Sequence, residues 1–333
     1  MSAESIVAPD ITDRTEMRRL ASVFDHGRLI AIPTETVYGL AAPIDRPELV
    51  ERIFALKGRP PDHPLIVHVA SRAQARVCVS DWPEVADILA SHFWPGPLTL
   101  VLPRSAAISD RITAGQNTVA LRMPDHPVAL ALIEALDSPV VAPSANLFTR
   151  LSPTSAADVT EAFPASEVLV LDGGRCRVGI ESTIVAVDEM TQTLWWLRPG
   201  QVDRGQLAAL LPPGWRLSPP ADEADSTQPA APGGMLIHYR PGKPLRVTVV
   251  AGQAGLQGLR QRLHADPETT VVELPDQPAQ AARELYAALR RADAQPGQFI
   301  DLIIPSERLD DAAWEGVANR LRKSASEWTR LDG

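Results

Sequence analysis

Short apolar runs alternate with amphipathic stretches along most of the chain, and that alternation confines it to an α/β fold. "RLIAIPT", "PLIVHV", "LTLVLP", "TVALRMP", "PVVAPS", "EVLVLD", "STIVAV" and "TLWWLRP" are all of strand length. Between some of them lie helical patterns, among them "PEVADILASHFW", "HPVALALIEALD" and "TSAADVTEAF". The connections are both long and short, which predicts an open, twisted, mixed sheet and not a strict Rossmann alternation. "TDRTEMRRLASVFDHG" reads as a helix ending at Gly27. In "DRPELVERIFALKG", Asp45 is expected as N-cap, Pro47 opens the helix and Glu48 completes a capping box. Leu49, Val50, Ile53 and Phe54 form its apolar face, and Gly58 stops it. Lys57 then falls in the last turn and Arg59 just beyond.

The pattern breaks near residue 211. "LPPGWRLSPPADEADSTQPAAPGG" is rich in Pro, Gly, Ala and acids and has no periodicity, as a linker would. Its far end, "GGMLIHYRPGKP", carries Met235, Leu236, Ile237, His238 and Tyr239, so this end is expected to dock. Beyond it, "LRVTVVAG", "TTVVELP" and "FIDLIIPS" read as strands, each followed by a helix, the last being "DDAAWEGVANRLRKSASEW". Three such units make a small parallel domain with right-handed crossovers. The division is therefore 1–210, a linker 211–244, and 245–333.

The common nucleotide and hydrolase signatures are absent: no G-x-x-x-x-G-K-[ST], no G-x-G-x-x-G at a strand–helix junction, no H-E-x-x-H and no G-x-S-x-G. Four polar turns remain, each beside a predicted strand: "PTETVYGL", "LKGRPPDHPLIVHV", "APSANLFTRLSPT" and "GIESTI". The second gathers Lys57, Arg59, His63 and His68 around three prolines, and a stiff loop spends less ordering entropy when a ligand binds. "PLIVHV" places Leu65, Val67 and Val69 on one face and Ile66 and His68 on the other. Taken singly, these residues have ordinary readings. Lys57 and Arg59 could complement a helix dipole, His68 could be a core histidine, and Ser144, Asn146, Ser182 and Thr183 could serve turns and strands. Arg122, Arg198, Trp195 and Trp196 lie on strand patterns, and Cys176 has no evident role. Taken together, hydroxyls, backbone N–H groups and cations at strand ends suit a ligand with several anionic groups, as ATP with an amino acid would be.

Net charge −9 argues against a general nucleic-acid binder. A local cationic pocket is still compatible with it. No 18-residue apolar run or signal-peptide core is present, so no membrane span is expected. Cys78 and Cys176 form no C-x-x-C pair, which fits a reducing cytoplasm.

The segments "IPTETVYGLAAP", "LKGRPPDHPLIVHV", "WPGPLTLVLP", "TVALRMPDHP", "APSANL…SPT", "DGG…GIESTIV" and "LRPG" together resemble the YrdC-like family of threonylcarbamoyl-AMP synthases, in order and spacing, over about residues 12 to 208. "APGGMLIHYRP", "ARELYAALRRAD" and "GVANRLRKSA" resemble its two-domain form. The resemblance implies an open twisted α/β sheet with a large concave cavity. It implies an enzyme that joins L-threonine, bicarbonate and ATP, with Mg²⁺ on the phosphates and no metal site on the protein. The products are L-threonylcarbamoyladenylate, pyrophosphate and water, the adenylate serving a tRNA threonylcarbamoyl-transfer machinery.

By position, Lys57, Arg59, Ser144 and Asn146 match the family's catalytic K-x-R and S-x-N. Arg59, His63, Thr118, Ser144, Ser152 and Arg198 fall where the family contacts ATP. Thr36, His68, Arg122, Ala142 (through its backbone) and Ser182 fall where it holds threonine, with Arg122 toward the carboxylate. His238 and Tyr239 match the segment that closes over the site. The chain departs from the pattern at His63, usually Asn, where an imidazole can titrate. It also departs at "MLIHYRP", which lacks the family's preceding basic residues and has Arg240 in place of Ala. An RNA-binding module is the alternative, disfavoured by charge. Carbamoyl transfer from another donor is disfavoured because no acylphosphatase or zinc-finger segment accompanies the domain.

Overall fold

The computed structural model describes residues 6–218 and 238–331. Among these, eleven strands form one mixed sheet, in the order Ile6–Val7, Val168–Leu171, Leu29–Ile32, Gly39–Pro43, Val140–Val141, Ile66–His68, Thr118–Arg122, Leu98–Pro103, Thr183–Asp188, Thr193–Arg198 and Arg216–Ser218. Hairpin pairs such as Leu29–Ile32 with Gly39–Pro43 are antiparallel. Crossover pairs such as Ile66–His68 with Thr118–Arg122 are parallel. The middle strands are apolar on successive residues because both faces are covered; Leu29, Ile30, Ala31 and Ile32 are all fully buried. Near the centre the alternation in "PLIVHV" holds. Leu65, Val67 and Val69 enter the main core, whereas Ile66 and His68 face a cavity.

Local chemistry sets the helix ends. Pro47–Lys57 buries Leu49, Val50, Ile53 and Phe54 and ends at Gly58, whose φ of 61° is the left-handed conformation that glycine adopts at least cost. Its N-cap is Arg46, with no side-chain cap, and not Asp45. Arg46 turns its guanidinium onto Glu48 and Asp25, so Glu48 is spent on an ion pair in place of a capping box, and Asp45 accepts from Ser138 Oγ at 3.3 Å. The N-terminal helix Arg14–Ala21, capped by Asp13, passes into a 3₁₀ turn, Ser22–His26, before Gly27.

The large sheet runs past the boundary expected at residue 210, since Arg216–Ser218 pairs in parallel with Thr193–Trp195. Residues 219–237, including Met235, Leu236 and Ile237, lie outside the described residues. The small domain contains the three expected strands, Leu245–Val250, Thr269–Glu273 and Phe299–Pro305, and their helices Gln253–His264, Pro278–Asp293 and Glu315–Ser324. A fourth strand, Glu327–Leu331, pairs with Leu245–Val250, and all four are parallel. Its first residues were expected to end the last helix. Every residue in it is exposed, so it has no buried face to write an alternating pattern.

The second hydrophobic core spans both domains. Val37, Leu151 and Ile180 of the large domain pack with Leu285, Tyr286, Leu289, Trp314, Val317 and Leu321 of the small one. Among the described residues no helix is long and apolar enough to cross a membrane.

Candidate active site

A narrow cleft opens where the polar turns meet, against the sheet face that carries Ile66 and His68. Its walls bring together Thr36, Arg59, His68, Arg122, Ala142, Ser144, Ser182, Arg198, His238 and Tyr239. These residues come from seven separate stretches of the chain. Lys57, His63, Thr118, Asn146 and Ser152 do not line it.

The parallel pairing of Ile66–His68 with Thr118–Arg122 sets His68 beside Arg122. His68 is buried with Nδ1 3.3 Å from the Ile66 carbonyl. Burial, with the Arg122 charge, brings the imidazole down to about 3, so it is neutral near pH 7. Arg122 Nη2 lies 2.6 Å from Glu35 Oε1, and both side chains are buried. Arg122 Nε donates to the Gly96 carbonyl at 3.2 Å, and Glu35 also accepts the Asp125 N–H at 3.1 Å. Glu35 was not among the expected site residues. It belongs to a turn fastened by its own hydroxyls, with Thr34 Oγ1 2.9 Å from Thr36 Oγ1 and donating to the Val37 carbonyl. Gly39 permits the close approach of Ala142, since a Cβ there would fall 3.0 Å from the Ala142 Cβ.

The facing wall is held by Arg198. Its Nε donates to the Ser182 carbonyl at 3.0 Å and Nη2 to Ser182 Oγ at 3.2 Å, while Thr99 Oγ1 lies 2.7 Å from the same hydroxyl. Beside Ser182 stands Glu181, also unexpected and buried. It accepts from Ser152 Oγ at 2.5 Å, from the Tyr286 hydroxyl at 3.0 Å and from Arg320 Nε at 2.9 Å. Ser152, expected on ATP, is thus committed to a carboxylate.

Burial would raise the Glu181 pKa, but Arg320 and Arg198 outweigh it and hold the carboxyl at about 2, against an ordinary 4.5. A depressed folded pKa gives stability that is present above 4.5 and lost as pH falls toward 2, on the order of 3 kcal/mol. Between about pH 6 and about pH 2.5, urea unfolding should therefore cost the native chain more stability than a Glu181→Gln, Arg320→Met pair. Equal losses would place the acid sensitivity elsewhere.

Lys57 sits differently from its expected place on the phosphate side. Buried at 3% exposure, its Nζ donates to the carbonyls of Ser144 at 2.6 Å and Asn146 at 2.5 Å. Asn146 in turn donates to the Leu147 and Arg150 carbonyls at 2.7 and 3.0 Å. Both residues fasten the loop that presents Ser144, and neither faces the cleft. Arg59 does face it, with Nη2 on the Pro64 carbonyl at 3.0 Å. Burial and Arg198 hold Arg59 down to about 10 despite nearby Tyr239 and Asp62. His63 rests against Phe148, with ring centroids 5.6 Å apart. Burial and Arg59 lower its pKa, so any titration of this imidazole falls below its ordinary 6.5. Thr118 opens its strand, at the end away from Arg122.

His238 and Tyr239 cap the cleft. The His238 N–H donates to the Lys323 carbonyl at 3.0 Å, and its ring meets Phe148 edge-on at 6.1 Å. Tyr239 adopts φ 63° and packs at 5.8 Å from Tyr286. Among the described residues no three His, Cys, Asp or Glu side chains converge to hold a metal. The two buried carboxylates at the cleft, Glu35 and Glu181, are paired with arginines.

This architecture matches known proteins over nearly its full length. Residues 22–200 match the Sua5/YciO/YrdC family model, described as "Telomere recombination". Residues 202–326 match "Threonylcarbamoyl-AMP synthase, C-terminal domain". The threonylcarbamoyl-AMP synthase of Pyrococcus abyssi is 38% identical, over 93% of this chain and 94% of its own. That of Bacillus subtilis is 35% identical, over 95% and 96%. The crystal structure of P. abyssi Sua5 complexed with L-threonine superposes with a TM-score of 0.86 at 35% identity, covering 98% of this chain and 99% of that one. Two consecutive domain matches and similarity running through both domains lead to one conclusion, that the chain belongs to the Sua5/YrdC family of threonylcarbamoyl-AMP synthases in its two-domain form.

Proposed function

We propose that the protein is a threonylcarbamoyl-AMP synthase, converting L-threonine, bicarbonate and ATP into L-threonylcarbamoyladenylate, pyrophosphate and water. The observation that carries the reading is one cleft with two chemistries. Neutral His68, Thr36 and the Glu35-paired Arg122 make one set, Arg59, Ser144 and Arg198 make the other, and Ser182, bonded to Arg198, joins the two. The first set suits an amino acid and the second a polyphosphate.

In this reading, Arg122 and the Ala142 backbone receive threonine's polar groups. His68, at about 3, is too weak a base to hold the amine proton, so it orients the amine or hydroxyl through a hydrogen bond. The amine takes up the carboxyl carbon of bicarbonate with loss of water, giving a carbamate. A carbamate oxygen then attacks the α-phosphorus, and the bond to the β-phosphate oxygen breaks as pyrophosphate leaves. The protein supplies positioning and neutralisation of the growing negative charge, and no covalent nucleophile is needed. Mg²⁺ would ride on phosphate oxygens and water, since the paired carboxylates leave little for it on the protein. His238 and Tyr239 shield the carbamate from water as part of a lid. Of the residues carried over to ATP, Arg59, Ser144 and Arg198 are the ones that geometry favours. His63, Thr118 and Ser152 serve it indirectly.

The adenylate would supply a tRNA threonylcarbamoyl-transfer machinery in the cytoplasm. Two free, buried thiols, Cys78 and Cys176, fit a reducing compartment. With ATP, bicarbonate and Mg²⁺ supplied, pyrophosphate should appear when threonine is added and stay at background when it is withheld. Release that ignores threonine would reject the reading.

A further inference from the structure

Arg320 belongs to helix Glu315–Ser324 of the small domain, yet its guanidinium ends at the cleft wall. The side chain is fully buried. Its Nε donates to Glu181 Oε2 at 2.9 Å, and Nη2 donates to the Glu181 carbonyl at 2.9 Å. Nη1 donates to the Pro199 carbonyl. One planar fork thus grips the residue just before Ser182 and the residue just after Arg198. Those two are themselves bonded, Arg198 Nε to the Ser182 carbonyl. From the neighbouring helix, Pro278–Asp293, Tyr286 adds a hydroxyl to the same carboxylate at 3.0 Å.

The backbones press together along the same seam. A Cβ on Gly316 would fall 2.9 Å from the Gly200 carbonyl oxygen, and one on Gly179 would fall 2.5 Å from the Arg283 Cα. Gly179 and Gly200 belong to the loops that carry Ser182 and Arg198. Packing of apolar residues already joins the domains, through Ile180, Val317 and Leu321. A buried carboxylate and guanidinium add little net stability over an apolar pair of the same volume, because each is taken out of water. What the ion pair adds that apolar packing lacks is direction, since a fork of donors fixes two carbonyls and a carboxylate at set angles.

We propose that Arg320, through Glu181 and the Pro199 carbonyl, is a positioning residue of the active site, so that the small domain completes the surface on which threonine and ATP bind. Tyr286 is the second contact of this clamp. The proposal rests on the synthase reading, because it takes Ser182 and Arg198 as ligand-binding residues.

The test uses the full-length chain and threonine-dependent pyrophosphate release. Arg320→Lys keeps the charge beside Glu181 but loses the fork. Glu181→Gln with Arg320→Met removes both charges of the pair together, so that neither of the two is left buried without the other, and it stands in if the single variant fails to fold. A positioning role raises the KM for both threonine and ATP by about tenfold or more, in protein whose thermal transition stays above the assay temperature. A merely structural role lowers the folded fraction, which scales down kcat and leaves both KM values alone. KM values within twofold of the native chain in the folded variants would overturn the proposal. Threonine-independent behaviour of the native chain would instead remove the synthase reading, and this inference with it.

Discussion

Replacing Arg59 with alanine is expected to lower kcat/KM for ATP by about 10²- to 10³-fold while the fold survives. The guanidinium faces the cleft and makes one backbone bond, to Pro64, and its Nε has no partner among the described residues. Burial, with the Arg198 charge adding to the effect, holds its pKa at about 10. Two guanidinium groups facing one cleft repel until an anion lies between them. A triphosphate relieves that repulsion, and the relief grows as charge accumulates on the transferring phosphoryl group. Arg59→Ala removes this stabilisation together with one peripheral hydrogen bond, so thermal unfolding should shift little. Arg59→Lys should fall between, since it keeps a charge and loses the planar fork. Rates across an ATP titration decide the matter, and a native kcat/KM in Arg59→Ala would remove the residue from the site.

The parts of this site that local pattern could reach are those made by one stretch of chain. The period of "PLIVHV" puts His68 opposite Val67, and the fold keeps it there, on the cleft face. Gly58 stops its helix as its conformational freedom suggests. The buried ion pairs were out of reach. Glu35 meets Arg122, and Glu181 meets Arg320, across long separations in sequence, and neither acid leaves a local mark beyond standing in a turn rich in hydroxyls and glycine. Cap choice failed at Asp45 for a related reason. The contest between Arg46 and Asp45 is decided by Asp25 and Ser138, which come from elsewhere in the chain. The resemblance placed Lys57 and Arg59 in one role, and their surroundings separate them.

That separation makes the second large effect. Lys57→Met keeps most of the side-chain volume and deletes the amine that bonds the Ser144 and Asn146 carbonyls. Two buried acceptors lose their donor, at a cost of about 2–4 kcal/mol, and the loop presenting Ser144 to the cleft is released. Turnover and stability should therefore fall together, whereas Arg59→Ala costs turnover alone. The pH dependence identifies the amine. Burial, with the Arg59 charge, holds the Lys57 pKa well below its ordinary 10.5. Between the folded value and 10.5 the unfolded chain holds the extra proton, so stability rises with pH through that window and levels off above it. In Lys57→Met the rise should be smaller than in the native chain, as read by denaturant midpoints across the alkaline range. An unchanged pH slope, or a Lys57→Met protein as stable as the native one, would show that this lysine carries neither the charge nor the loop.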